Sequence, residues 1–243
     1  MARVYSVSFF HYTRQEKILE KILRDGFKIF YCAEQFKTGD HKKVKDIGIP
    51  MVSFCNIPLS LVDQLGYGKF AIGMSKEWGI ENSLTPVVYY PNHRVDNLLF
   101  DVIKKQSDEF HGGNRHSEDI GILGFAKPIR KMQDRKWKYS LDNFIEREWR
   151  SVSKPEEVPW LTQEEYQQKK VHDGKTKKPA TDKVLKFTPK NVDFIIVKSD
   201  HARNNMINFL MSTEKIGGNM VCDDDRNKLI SRILTMNDIK NNF

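Results

Sequence analysis

No stretch of this sequence approaches the roughly 18 consecutive apolar residues that a membrane-spanning helix needs, so no membrane association is expected. The opening Met1–His11 lacks an apolar core of signal-peptide length, which argues against secretion by a standard signal. Cysteine is scarce: Cys32, Cys55 and Cys222 are widely spaced and form no C-x-x-C pair. An odd, scattered set of thiols fits a reducing cytoplasm and excludes a zinc module, so no metal is expected. Also missing are a G-x-G-x-x-G turn after a strand and a G-x-x-x-x-G-K-[ST] loop, which leaves a Rossmann or P-loop nucleotide site without support.

What is present is a globular composition. Of 243 residues, 39% are hydrophobic, and 15 Phe, 8 Tyr and 4 Trp give enough aromatic anchors to build a core without disulfides. Lys and Arg exceed Asp and Glu by 40 to 32, a formal charge of +8, which points toward a polyanionic partner such as DNA or RNA.

Val4 to Phe10 is rich in β-branched and aromatic residues and reads as a strand. Thr13-x-x-Glu16 then has the form of a capping box before a helix with Ile18, Leu19, Ile22 and Leu23 on one face, closed by Gly26. Ile49 to Cys55 reads as a buried strand, with a short helix over Ser60 to Leu65. Further strands are predicted at Phe70 to Met74, Val87 to Tyr90, Ile120 to Phe125, Phe144 to Val152 and Phe194 to Val197. Helices are predicted at Val95 to Lys105, Ala202 to Met211 and Asp223 to Leu234. Short strands mixed with a few helices indicate an α+β fold.

Three segments could carry chemistry. A period of two across Phe144–Arg150 sets Glu146, Glu148 and Arg150 on one face. Paired carboxylates beside a guanidinium can keep one acid ionised for catalysis or grip sugar hydroxyls, while the same pattern also fits the charged outer face of an edge strand. His11-Tyr12-Thr13, where the first strand meets its helix, offers hydrogen-bonding groups and a stacking ring, or a helix cap and a satisfied histidine. Ser53 to Ser60, with the nearby Tyr67, offers a hydroxyl, an amide and aromatic faces, or simply a buried strand and a tight turn. Cys55 has apolar neighbours and reads as buried, not nucleophilic. His111 and His116 flank a glycine-rich polar loop, and Trp78 reads as core or cleft wall.

In order along the chain, the motifs run from His11-Tyr12-Thr13 with its helix and Gly26-Phe27, through Pro50 to Ser60, Tyr67-Gly68, Ser75-Lys76-Glu77-Trp78 and Pro86-Val87, to Glu146–Arg150. Together they resemble the AbiGi family of abortive-infection phage-resistance proteins, described as the antitoxin member of a two-gene system. The same order resembles, more distantly, DarT-type ADP-ribosyltransferases that modify nucleic acids. The first resemblance implies phage defence and a partner toxin or antitoxin. The second implies a mixed β core of ADP-ribosyltransferase type with flanking helices, and NAD as substrate. On it, Glu148 and Glu146 are the catalytic carboxylates, and His11, Tyr12, Thr13, Ser53, Tyr67 and Arg150 hold NAD. The arginine that DarT-type enzymes place near the nicotinamide phosphates has no counterpart in the Ser53–Ser60 turn, with Arg150 or Arg115 as substitutes.

The expected organisation is one domain over residues 1–243, with a transferase-like core at 1–152, a basic insertion or loop at 153–190, and a C-terminal strand and helices at 191–243. Lys169 to Lys190 carries eight Lys against two Asp, a surplus of six, which holds most of the net charge. Lys169, Lys170, Lys175, Lys177 and Lys178 are therefore the candidate nucleic-acid contacts, although such a run also fits a plain solvated surface.

Overall fold

The computed structural model describes residues 6–38, 43–64, 68–91, 97–115, 118–133, 136–139, 147–169, 171–172 and 175–242. Helices and strands are interspersed, which bears out the α+β reading. Two compact units form, both discontinuous in sequence: residues 1–28, 53–84 and 183–243 make one, and 29–52 with 85–182 the other. The expected partition instead followed the chain in consecutive blocks.

In the first unit, Ser8–Thr13 pairs antiparallel with Phe70–Ser75 along its whole length, from Ser8↔Ser75 to Thr13↔Phe70. Its other edge meets the end of the Lys43–Cys55 strand at Phe10↔Cys55. Val192–Val197 adds antiparallel to Phe70–Ser75, and Ile233–Thr235 adds parallel to Val192–Val197. A parallel neighbour needs a crossover, and the helices Asp200–Ser212 and Asp223–Ile230 lie within it. Alternation sorts the side chains to two faces. Phe10, Ala71 and Ile196 pack with Ile57, Met236 and Ile239 on one side. On the other, Phe27 and Phe54 gather around Trp78, with ring centroids 5.4 and 5.5 Å from the indole.

The helix Glu16–Asp25 buries Leu19, Ile22 and Leu23 and ends at Gly26, whose φ of 90° suits a residue without Cβ. Its N-terminus differs from the capping box expected at Thr13. Gln15 is the N-cap and makes no side-chain cap bond, because Thr13 still belongs to the strand and its hydroxyl binds the Gln15 backbone at 3.1 Å.

The second unit is built on a hairpin in which Phe30–Thr38 pairs with Lys43–Cys55 from Phe30↔Met51 to Thr38↔Lys43. Glu148–Val152 pairs with that second strand and with Thr85–Pro86. Helix Leu98–His111, capped by the Asn97 side chain, packs Phe100, Ile103 and Phe110 against Phe36, Ile47, Ile49 and Trp160. It starts later and runs further than the predicted Val95 to Lys105.

Two other predictions are corrected. Ile120 to Phe125 is a 3-10 helix, Glu118–Phe125, in place of a strand. Ile120 and Leu123 are fully buried three residues apart, a spacing that one turn of 3-10 helix brings to one side. The helix from Asp223 stops at Ile230, and Ile233–Thr235 is claimed by the parallel pairing with Ile195–Val197. Of the two readings open for Lys169 to Lys190, an exposed basic loop or a hairpin tip, the hairpin agrees with the antiparallel pair Val171–His172 and Lys175–Thr176, and Val184–Leu185 adds a further short strand.

Candidate functional site

The strand Glu148–Val152 begins directly after Arg147, whose φ of 44° marks a turn. Glu146 lies outside the described residues. Glu148 and Arg150 do share a face, as the alternation requires, but that face is the interior: Glu148 is 7% exposed and Arg150 has no exposed surface. The outer-face alternative for this strand is thereby overturned.

Four charged groups meet there. Arg150 donates from Nε to Glu148 Oε1 at 2.8 Å and from Nη2 to Oε2 at 3.1 Å. Lys127 Nζ donates to Glu148 Oε2 at 2.7 Å. The same Nη2 also donates to Glu34 Oε1 at 2.6 Å, and Nη1 donates to the Gly124 carbonyl at 3.0 Å. Two carboxylates and two cations make the cluster neutral, which is the condition under which charges tolerate a low-dielectric interior. Burial works to raise the Glu148 pKa, but the charges and hydrogen bonds of Arg150 and Lys127 hold it well below the usual carboxylate range. Burial likewise opposes the charge on Arg150, and Glu148 and Glu34 keep its pKa above the ordinary arginine value. Lys127 and Glu34 were not found from the sequence: they sit 21 residues from Glu148 and 116 residues from Arg150, beyond any local pattern.

His11 belongs to the other unit. Its Nδ1 lies 2.8 Å from the Ser53 carbonyl, a contact in which the ring N–H donates. Thus His11 and Ser53 do come together, though through the Ser53 backbone. The imidazole stands edge-on to Phe27 at 5.4 Å and tilted to Phe54 at 5.6 Å. Tyr12 projects from the opposite face of the sheet, beside Phe10 at 6.1 Å, so His11 and Tyr12 do not line one pocket. Burial pushes the Tyr12 phenol far above its ordinary value. Thr13 is buried on the His11 side of the sheet. Cys55 packs beside Tyr12, and Trp78 is core, its Nε1 donating to the Lys186 carbonyl at 2.9 Å.

Tyr67, His116 and Lys170 lie outside the described residues. Lys169, Lys175, Lys177 and Lys178 are exposed, with Lys175 paired across strands to Cys32. Arg115 is engaged by Glu165 at 2.9 and 3.0 Å. Among the described residues no group of three or more His, Cys, Asp or Glu could hold a metal ion, and no helix is long and apolar enough to cross a membrane.

Set against NAD, the Glu148 arrangement does not fit: the carboxylate meant to grip a ribose hydroxyl is buried, with cations on both oxygens.

Comparison with known proteins gives a consistent family. No solved structure matches the chain. An abortive phage resistance protein, AbiGi, of Lactococcus lactis subsp. cremoris is 25% identical over 232 residues, covering 84% of this chain and 92% of that protein. Residues 26–198 match the family model described as "Putative abortive phage resistance protein AbiGi, antitoxin". That match takes in the Phe30–Thr38 hairpin, the buried ion cluster and the Val192–Val197 strand, and on its extent the chain belongs to the AbiGi family of abortive phage resistance proteins.

Proposed function

We propose that the protein acts in abortive infection as the antitoxin-side component, by binding a partner and without turning over a substrate. The observation that carries this reading is the closed state of Glu148. A carboxylate that stabilises charge on a sugar must present an oxygen to a cleft. Here Lys127 and Arg150 take both oxygens at 2.7 to 3.1 Å, inside a neutral buried cluster. Such a group positions strands. The exposed Lys169, Lys175, Lys177 and Lys178 supply a basic surface for an acidic toxin face or for DNA or RNA.

The competing reading is an NAD-dependent ADP-ribosyltransferase acting on nucleic acid, with Glu148 and Glu146 as its carboxylates. It requires the Glu148 carboxylate to leave both cations. Expression alone and with the neighbouring gene separates the two. The antitoxin reading expects no growth arrest from this chain alone and rescue from the neighbour's toxicity. Arrest by this chain alone that Glu148→Gln relieves, or transfer of label from NAD to an oligonucleotide, overturns it.

A further inference from the structure

The strand Ala126–Pro128 runs parallel to Val88–Tyr90, and its Lys127 is locked into the buried ion cluster, donating to Glu148 at 2.7 Å. The Ile129 N–H then donates to the Tyr90 carbonyl at 3.0 Å. From this fixed root the chain continues as an antiparallel ribbon of Arg130–Gln133 and Lys136–Tyr139, paired from Tyr139↔Arg130 to Lys136↔Gln133. The ribbon is a two-stranded sheet of its own, and no third strand joins it among the described residues. Residues 129–139 carry Arg130, Lys131, Arg135, Lys136 and Lys138 against Asp134, a surplus of four positive charges. Opposed positions share a face and successive ones alternate, so Arg130, Met132, Trp137 and Tyr139 fall on one face and Lys131, Gln133, Lys136 and Lys138 on the other.

One face thus collects the positions of two aromatic residues and an arginine, and the other those of three lysines. We propose that the 130–139 ribbon is a binding element for single-stranded nucleic acid, in which bases stack on Trp137 and Tyr139 while Arg130 and the lysine face attract the phosphates. Stacking needs bases with a free π-face, which a single strand offers and a duplex keeps inside. A ribbon of two strands is only about 5 Å wide between strand axes. The Debye length at physiological salt is about 8 Å, so the field of the lysine face reaches a polyanion lying along the ring face. A two-stranded hairpin is marginal in water by itself, and a ligand that covers its ring face stabilises it. The inference rests on the partner-binding reading only in making nucleic acid a partner, and it names both the strandedness and the element of contact, apart from Lys169, Lys175, Lys177 and Lys178.

The probes are iodouracil-substituted oligothymidylate and oligouridylate of about 20 nucleotides, long enough for several stacking positions, added to the intact protein. Ultraviolet crosslinks, located by peptide mass mapping, are expected at Trp137 or Tyr139. Anisotropy titrations are expected to show both single strands binding about tenfold or more tighter than a duplex of equal length or polyphosphate of equal charge, and the tighter of the two identifies DNA or RNA as the source. Trp137→Ala is expected to weaken binding about tenfold, and Trp137→Phe, which keeps a ring, to retain most of it. Lys131→Gln, Lys136→Gln and Lys138→Gln together should lower the slope of log affinity against log salt by about two, at about 0.7 for each single-strand phosphate contact. The crosslinks are read on the unaltered protein, so they stand whether or not the variants fold. Crosslinks that map outside the ribbon, or equal binding of duplex and single strand, overturn the proposal. Absence of oligonucleotide binding also overturns it and leaves the antitoxin reading to its own expression test.

Discussion

Arg150 grips the carboxylate of Glu148, two residues before it on the same strand, with two nitrogens at 2.8 and 3.1 Å, and neither side chain faces solvent. The pair is stable only as part of a larger set, because Lys127 and Glu34 complete its charge balance.

Removing one member therefore leaves uncompensated charge in the interior. Arg150→Met is expected to destabilise the protein by about 3–5 kcal/mol, the range for breaking a buried ion pair from one side. Urea unfolding measures it, and a loss under about 1 kcal/mol would mean that the cluster does not form in solution.

His111 predicts an acid-side slope. Burial, with help from Lys45 and Arg115 against Glu164 and Asp108, lowers its pKa to about 4, and its Nε2 is buried without a hydrogen-bond partner among the described residues. Between the unfolded value near 6.5 and about 4, the unfolded chain takes up a proton that the folded chain refuses. Stability is thus lost as pH falls through 6.5, and the loss is complete below about 4. Allowing for the half-exposed side chain, the contribution is on the order of 1 kcal/mol. Thermal unfolding between pH 7 and 4.5 should show a shallower fall in His111→Gln than in the unaltered protein.

Asn56 ties the first strand in place, its Nδ2 donating to the carbonyls of Ser6 at 3.1 Å and Ser8 at 3.0 Å. Asn56→Ala strands the buried Ser8 carbonyl and should cost about 2 kcal/mol. Amide exchange of Ser8–Thr13 checks the location: faster exchange confined to this strand is expected, and unchanged exchange there counts against it.

Trp78 predicts a local optical change as well as a loss of stability. Trp78→Phe removes the donor to the Lys186 carbonyl and leaves a gap among Phe27 and Phe54, for about 1–3 kcal/mol. The emission difference between the two proteins isolates the Trp78 signal, which should be blue-shifted, as for a buried indole; a signal at the wavelength of exposed tryptophan would contradict the packing.

Much of the strand framework was legible. Phe70–Ser75 and Val192–Val197 are rich in β-branched or apolar residues, and Gly26 marks the end of an amphipathic helix. The Phe30–Thr38 strand was not, because Glu34, Gln35 and Lys37 interrupt any apolar pattern. Glu118–Phe125 was misread because a short apolar run looks alike in a strand and in a tight buried helix.

The candidate site divides along the same line. By itself the sequence determined that Glu148 and Arg150 share a face, that His11 precedes a helix, and that ordered motifs carry an abortive-infection resemblance. Each is a local property, set by residue type and the two-residue period of a strand. Only the tertiary structure decided that the Glu148 face points inward and that Lys127 and Glu34 close its charge. Periodicity fixes which side chains point the same way; which way that is depends on what distant segments pack against them.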